Sequence, residues 1–144
     1  MIVRGRHVVR AFAAAAAASA LLLVACGPSR PNTELRQWTD SYAMRLQADP
    51  APPRARERII YKLVVTDKKT RQPIENGEGQ IFAETRDGAR TYDGFEPGPE
   101  VGTYYAHLNF ITAGEWAIGL RFRRDSTAAL ERTDWVQEVR GAAK

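Results

Sequence analysis

Residues that carry redox, metal or nucleophilic chemistry are scarce: the 144-residue chain holds one cysteine, two histidines and two methionines. A single cysteine excludes an intramolecular disulfide, so stability must come from a buried core. No apolar stretch reaches the roughly 20 residues that cross a hydrocarbon layer. The run at 11–25 stops at fifteen. Repeats, heptads, long amphipathic helices and strand–helix alternation are also missing, which excludes a solenoid, a coiled coil and a parallel α/β sheet. Charge of one sign is nowhere massed. The 21 Lys and Arg and 17 Asp and Glu, net +4, are interspersed, which argues against a nucleic-acid partner.

What is present begins at the N-terminus. Arg4, Arg6 and Arg10 precede the apolar run, which ends in Leu23-Val24-Ala25-Cys26. Basic, then apolar, then small is the layout of an export signal. The tetrapeptide resembles the lipobox of bacterial lipoproteins. That resemblance implies cleavage before Cys26, with the thiol thioether-linked to diacylglycerol and the cysteine as the new N-terminus. Gly27 follows it instead of Asp, which in that pattern does not call for retention in the inner membrane. The other reading keeps the run as a membrane anchor, with the arginines holding its start in the cytoplasm. Both readings put the rest on the extracytoplasmic side, at the cell membrane or the outer membrane. Three of the 21 basic residues and none of the acidic ones precede Cys26, so 18 basic residues then stand against 17 acidic. The organisation expected is a signal or anchor at 1–25, a lipidated tether at 26–37 and one domain at 38–144.

Within that domain the periodicity is two. From Trp38, the residues Tyr42, Met44 and Leu46 alternate with Ala43, Arg45 and Gln47 until prolines at 50–53 stop the run. Ile59, Tyr61, Leu63 and Val65 define a second strand. Asn76-Gly77 is a turn leading into a strand at 80–85, and Arg86-Asp87-Gly88-Ala89 turns the chain again. Residues 90–101 contain Gly94, Pro97, Gly98 and Pro99, so a strand there is short and at an edge. Tyr104, Ala106, Leu108 and Phe110 share one face of a strand, as do Trp116, Ile118, Leu120 and Phe122 of the next. With Thr112-Ala113-Gly114 between them, these two read as a hairpin. Residues 127–132 are open to a helical turn, and 135–139 to a closing strand. The fold class expected is all-β: one antiparallel sandwich of about seven strands behind an apolar N-terminal helix.

The order Val64-Val65-Thr66-Asp67, Gln72-Pro73-Ile74, Asp87-Gly88, Gly102-Thr103-Tyr104-Tyr105-Ala106 and Ala113-Gly114-Glu115-Trp116-Ala117-Ile118 resembles exported immunoglobulin-like domains of the YtkA-like and FixH-like group. The likeness covers about 60 residues and implies an immunoglobulin-like sandwich. It also implies a role in copper handling or beside membrane oxidases. Exported copper sites use clustered His and Met. Beyond Cys26 the chain offers only His107, on the polar face of its strand, and Met44, on an apolar one, so no metal site and no cofactor other than the lipid on Cys26 is expected.

Catalysis fares no better. An acylated Cys26 is no nucleophile, and His107 has no Ser and Asp beside it in sequence. Asp87, Asp93, Glu96 and Glu100 carry oxygen ligands for calcium but match no known loop spacing, so they read as solvated turn residues. Binding remains. Tyr105, His107 and Asn109 on one strand and Arg121, Arg123 and Arg124 on and after the next are the candidate partner contacts, since aromatics and arginines dominate interface hot spots. Tyr92 and Phe95 in the 90–100 segment are a second candidate. The function expected is that of a non-enzymatic docking subunit, anchored in membrane lipid and held on an integral membrane protein complex, respiratory or photosynthetic. The alternative is a periplasmic lipoprotein that binds copper or a small ligand.

Overall fold

A computed structural model describes residues 33–144. The signal or anchor at 1–25 and the lipidation site Cys26 lie outside the described residues. Nine strands follow in order: β1 (Leu35–Trp38), β2 (Tyr42–Asp49), β3 (Arg58–Asp67), β4 (Glu78–Glu84), β5 (Arg90–Gly94), β6 (Glu96–Pro97), β7 (Thr103–Asn109), β8 (Gly114–Arg123) and β9 (Glu131–Val139). They form two antiparallel sheets, β1-β2-β3-β7-β6 and β5-β4-β8-β9. The sandwich expected from the alternation is therefore present.

Its core is the set of in-phase apolar residues. Tyr42, Met44, Leu46, Ile59, Tyr61, Leu63, Val65, Tyr104, Ala106 and Leu108 come from the first sheet, and Ile81, Ala83, Trp116, Ile118, Leu120, Phe122 and Val139 from the second. Edge-on aromatic contacts cross the gap, Tyr42 to Phe122 at 5.2 Å, Tyr104 to Phe122 at 5.3 Å and Phe110 to Trp116 at 5.1 Å between centroids. Asn76-Gly77 is the turn expected, with Asn76 at φ +54°. Gly77 is needed for proximity: a Cβ there would lie 2.2 Å from Cζ of Phe122. Its N–H also donates to the buried Tyr104 hydroxyl at 2.9 Å.

Four expectations are corrected. β7 and β8 are not a hairpin. β7 pairs with β3 and β6, and β8 with β4 and β9. The 110–113 connection crosses from one sheet to the other, so the two richest apolar faces oppose each other through the core. Alternation fixes which face of a strand is buried, not which strand lies beside it. Second, the tether ends earlier than 37, because Leu35–Trp38 is a strand of its own with Leu35 packed on the core. The chain reverses at Thr39, whose N–H donates to the Tyr42 carbonyl at 3.0 Å, so Trp38 and Tyr42 belong to different strands. Third, 127–132 is no helical turn. The Asp125 carboxylate accepts the N–H groups of Thr127 and Ala128, closing a single turn before β9 begins at Glu131. Fourth, the described residues form nine strands, because β1 adds an edge and the 90–101 segment divides. β5 borders one sheet and β6 the other, with buried Phe95 between them.

Candidate interaction surface

The outer face of the four-stranded sheet is where side chains converge without being consumed by packing. Antiparallel register sets them in rows. Tyr92, Phe82, Gly119 and Asp134 stand side by side across β5, β4, β8 and β9, as do Gln80, Arg121 and Arg132 in the next row and Arg90, Glu84, Ala117 and Val136 in a third. Phe82 lies flat because its neighbour has no side chain. A Cβ on Gly119 would come within 2.2 Å of the Phe82 Cζ and 2.9 Å of Asp134 Oδ1. Two guanidiniums cover the ring, Arg121 at 5.1 Å and Arg132 at 4.9 Å from its centroid, a cation–π arrangement.

The two arginines differ in their counter-charges. Asp134 holds Arg132 through Nε at 2.9 Å and Nη2 at 2.6 Å, and this hydrogen bonding raises the guanidinium's pKa further above its already high value. Arg121 has no carboxylate within ion-pair distance among the described residues, and it sits directly opposite Arg132, where like charges repel. Tyr92 is 72% exposed and Val136 66%. An open depression of about 400 Å³ lies between Phe82, Arg90, Tyr92, Arg121 and Arg132. Chemically, the face offers aromatic surface and, in Arg121, a cation without a carboxylate partner among the described residues.

The six residues singled out from sequence do not share a face. Tyr105, His107 and Asn109 lie on β7 in the five-stranded sheet, and Arg121 and Arg123 on β8 in the other. Tyr105 is half-buried, its ring packed where a Cβ on Gly98 would stand 2.4 Å away. The His107 N–H donates to Asp93 Oδ2 at 2.8 Å, and its Nδ1 lies 3.5 Å from the same oxygen. The Asn109 N–H donates to Thr91 Oγ1 at 3.3 Å. Side chains of β5 thus cap the edge of β7 beyond the end of β6. Arg123 is paired with Glu78 at 2.7 Å. Arg124 is paired with Asp67, and its N–H donates to the Tyr42 hydroxyl.

Of the four acidic residues weighed for calcium, Asp93 meets His107, Glu100 meets Lys62 at 3.7 Å and Asp87 accepts from Thr85. Among the described residues no three His, Cys, Asp or Glu side chains converge as metal ligands. Met44 is buried between the sheets, on the side of its strand opposite to the solvent-facing row. Phe82 and Arg132 escaped the sequence reading. The signal was a phenylalanine and a glycine on the polar phase of their strands: Phe82 between buried Ile81 and Ala83, and Gly119 between Ile118 and Leu120.

No protein-family profile and no curated protein matches the chain. Among solved structures it is similar to a DUF4426 family protein from Pseudomonas aeruginosa, with a TM-score of 0.61 and 12% identity over 79% of this chain and 100% of that one. A copper-bound variant of FetP from uropathogenic Escherichia coli gives a TM-score of 0.47 and 9% identity over 74% of this chain and 89% of that one. The first likeness shows the β-sandwich fold; the second bears on neither fold nor site.

Proposed function

We propose that the chain is a lipid-anchored, extracytoplasmic docking module that holds an integral membrane protein complex through the outer face of its four-stranded sheet, without catalysis. The observation that carries this reading is Arg121, a guanidinium over Phe82 with no carboxylate in ion-pair distance among the described residues, beside like-charged Arg132 and exposed Tyr92. Arginine and tyrosine are the residues that most often anchor protein interfaces. The strand order supports an immunoglobulin-like reading: β2-β3-β7-β6 and β5-β4-β8-β9 correspond to A-B-E-D and C′-C-F-G of that fold, with β1 added at an edge. The YtkA-like and FixH-like resemblance agrees with such an order. Its strand-terminal Asp67 caps the 68–71 turn, accepting the N–H groups of Lys69 and Thr70.

The lipid on Cys26 raises the module's concentration at the membrane, so a contact of modest affinity suffices. Full-length protein with a C-terminal tag, extracted in mild detergent, should bring down an integral complex at fixed stoichiometry with a mass beginning at acylated Cys26. Arg121→Glu combined with Tyr92→Ala should abolish that co-purification. Unchanged recovery of the complex would overturn the surface.

A second reading, copper or small-ligand binding, is favoured by one observation: His107 pairs an imidazole with the Asp93 carboxylate at a strand edge. It requires stoichiometric copper uptake by the purified protein that disappears in His107→Ala.

A further inference from the structure

β9 borders the four-stranded sheet, and its outer edge is built differently from the other sheet edges. β1 is a strand of 4 residues and β6 of 2, and β5 turns Thr91 and Asp93 toward the edge of β7. β9 runs for 9 residues without proline, glycine or lysine, and its register with β8 is unbroken from Glu131 to Val139, so no bulge turns the edge aside. The phase of its outward groups is fixed at one end. The Arg140 N–H donates to the Pro53 carbonyl at 2.9 Å and the Arg140 carbonyl accepts from the Ala55 N–H at 2.8 Å, so the backbone of Arg140 faces away from β8. Successive residues of a strand present their backbone groups to opposite edges. Arg132, Asp134, Val136 and Glu138 therefore also point N–H and C=O away from β8. Among the described residues no strand takes these groups up; the Glu138 carbonyl accepts only the exposed side-chain amide of its neighbour Gln137, at 3.0 Å.

Charge decides what fits along this edge. Toward one end of β9, Arg132 stands opposite Arg121 of β8; toward the other, Glu138 stands opposite Glu115. Neither glutamate has a cation within ion-pair distance among the described residues. Like charges set directly opposite one another are destabilising, and the strand carries one such pair of each sign. A second β9 laid antiparallel on the first, with the two-fold axis at Trp135 in the middle of the strand, puts Arg132 of each copy opposite Glu138 of the other. A single row then reads Arg121, Arg132, Glu138, Glu115 across the two molecules, and the symmetry repeats it. Trp135, which packs only in part on the core, meets its own symmetry mate at a position where side chains come closest and aromatic pairs stabilise. The charges select this register. An axis at Val136 would set Asp134 against Glu138 and Arg132 against Arg140, and an axis at Asp134 would set that carboxylate against itself. We propose that two copies of this chain join edge to edge through β9, making one continuous sheet with their Phe82 faces side by side. The contact is isologous, so it closes at two.

The test is sedimentation of the purified full chain in mild detergent, whose protein mass should approach twice that of one chain as concentration rises. Val136→Pro removes an outward N–H and no bond to β8, a place where an edge strand tolerates proline, so it should stay folded by circular dichroism and sediment as a monomer. Glu138→Arg and Arg132→Glu each set like charges opposite one another in both contacts and should weaken association by about tenfold. Mixed in equal amounts, these two variants restore both contacts and should associate at least as tightly as the wild type, which a misfolded or merely destabilised chain would not do. The reversals lie on exposed side chains and decide the matter even where the proline unfolds the strand. A wild-type chain that keeps the monomer mass up to roughly 0.1 mM, or a folded Val136→Pro that still associates, overturns the edge. Association lost in both reversals and not regained on mixing overturns the register and the proposal with it.

Discussion

The Phe82 and Gly119 pair makes the most exacting prediction. In Gly119→Ala the new methyl group meets the Phe82 ring at 2.2 and 2.6 Å, closer than carbon atoms approach. The ring must leave the sheet surface and give up its contacts with Arg121 and Arg132. Overpacking of this kind costs about 1–3 kcal/mol. Replacing a strand glycine by alanine returns roughly 0.5–1 kcal/mol of unfolded-state entropy, so the single variant should lose about 1–2 kcal/mol. In a Phe82→Ala background the clash is gone and the entropy gain remains, so the same substitution should stabilise by about 0.5–1 kcal/mol. The sign changes. The coupling energy is then about 2 kcal/mol, inside the range for residues in direct contact. Asp134 Oδ1, 2.9 Å from the same methyl position, is present in both backgrounds and largely cancels. Urea or thermal unfolding of the four proteins measures the cycle, with about 4–8 °C of Tm for each kcal/mol in a domain near this size. Gly119→Ala destabilising by the same amount with and without the Phe82 ring would refute the stacking argument.

Other perturbations separate close cases. The Tyr61 hydroxyl is buried without a hydrogen-bond partner among the described residues and burial pushes its pKa far up, so Tyr61→Phe should be neutral or stabilise by about 1 kcal/mol on urea unfolding. Tyr104→Phe removes a hydroxyl that donates to the Ile74 carbonyl and accepts from Gly77, and should lose about 1–3 kcal/mol in the same assay. Asp67 is drawn from 3.8 to about 2 by the Thr70 N–H, then by hydrogen bonds from Arg124 and the Lys69 N–H. A depressed folded-state pKa gives stability that is present above 3.8 and lost as pH falls toward 2, so the difference between wild type and Asp67→Asn should shrink across that interval in acid unfolding. Gly77→Ala places a methyl 2.2 Å from buried Phe122 and should cost about 1–3 kcal/mol in thermal unfolding.

The sandwich was legible because alternation with a buried face is a property of single strands. Each of Tyr42, Ile59, Tyr104 and Trp116 is buried in the phase its neighbours imply. Pairing is a relation between strands, and the 110–113 connection shows its limit. Two adjacent amphipathic strands joined by a short link satisfy a hairpin and a crossover equally well in sequence. The β1 strand was hidden for a related reason. Only Leu35 and Gln37 of its four residues turn inward, too few to reveal a period. Of the candidate contacts, Arg121 alone opens on the Phe82 face: Tyr105, His107 and Asn109 lie on the other sheet, and Arg123 and Arg124 are taken up by partners 45 and 57 positions away in sequence.

Edges and faces of the sandwich then serve different ends. Where β6 stops, the outward N–H groups of His107 and Asn109 are taken up by Asp93 and Thr91, so that stretch of β7 has no open donors for a strand from another chain. The face that remains open carries a guanidinium opposite another guanidinium, a pairing less favourable than the arginine–carboxylate bridges elsewhere on the surface. A carboxylate brought by a partner relieves it. Contact at Arg121 should therefore be formed faster at low salt and be weakened as ionic strength rises.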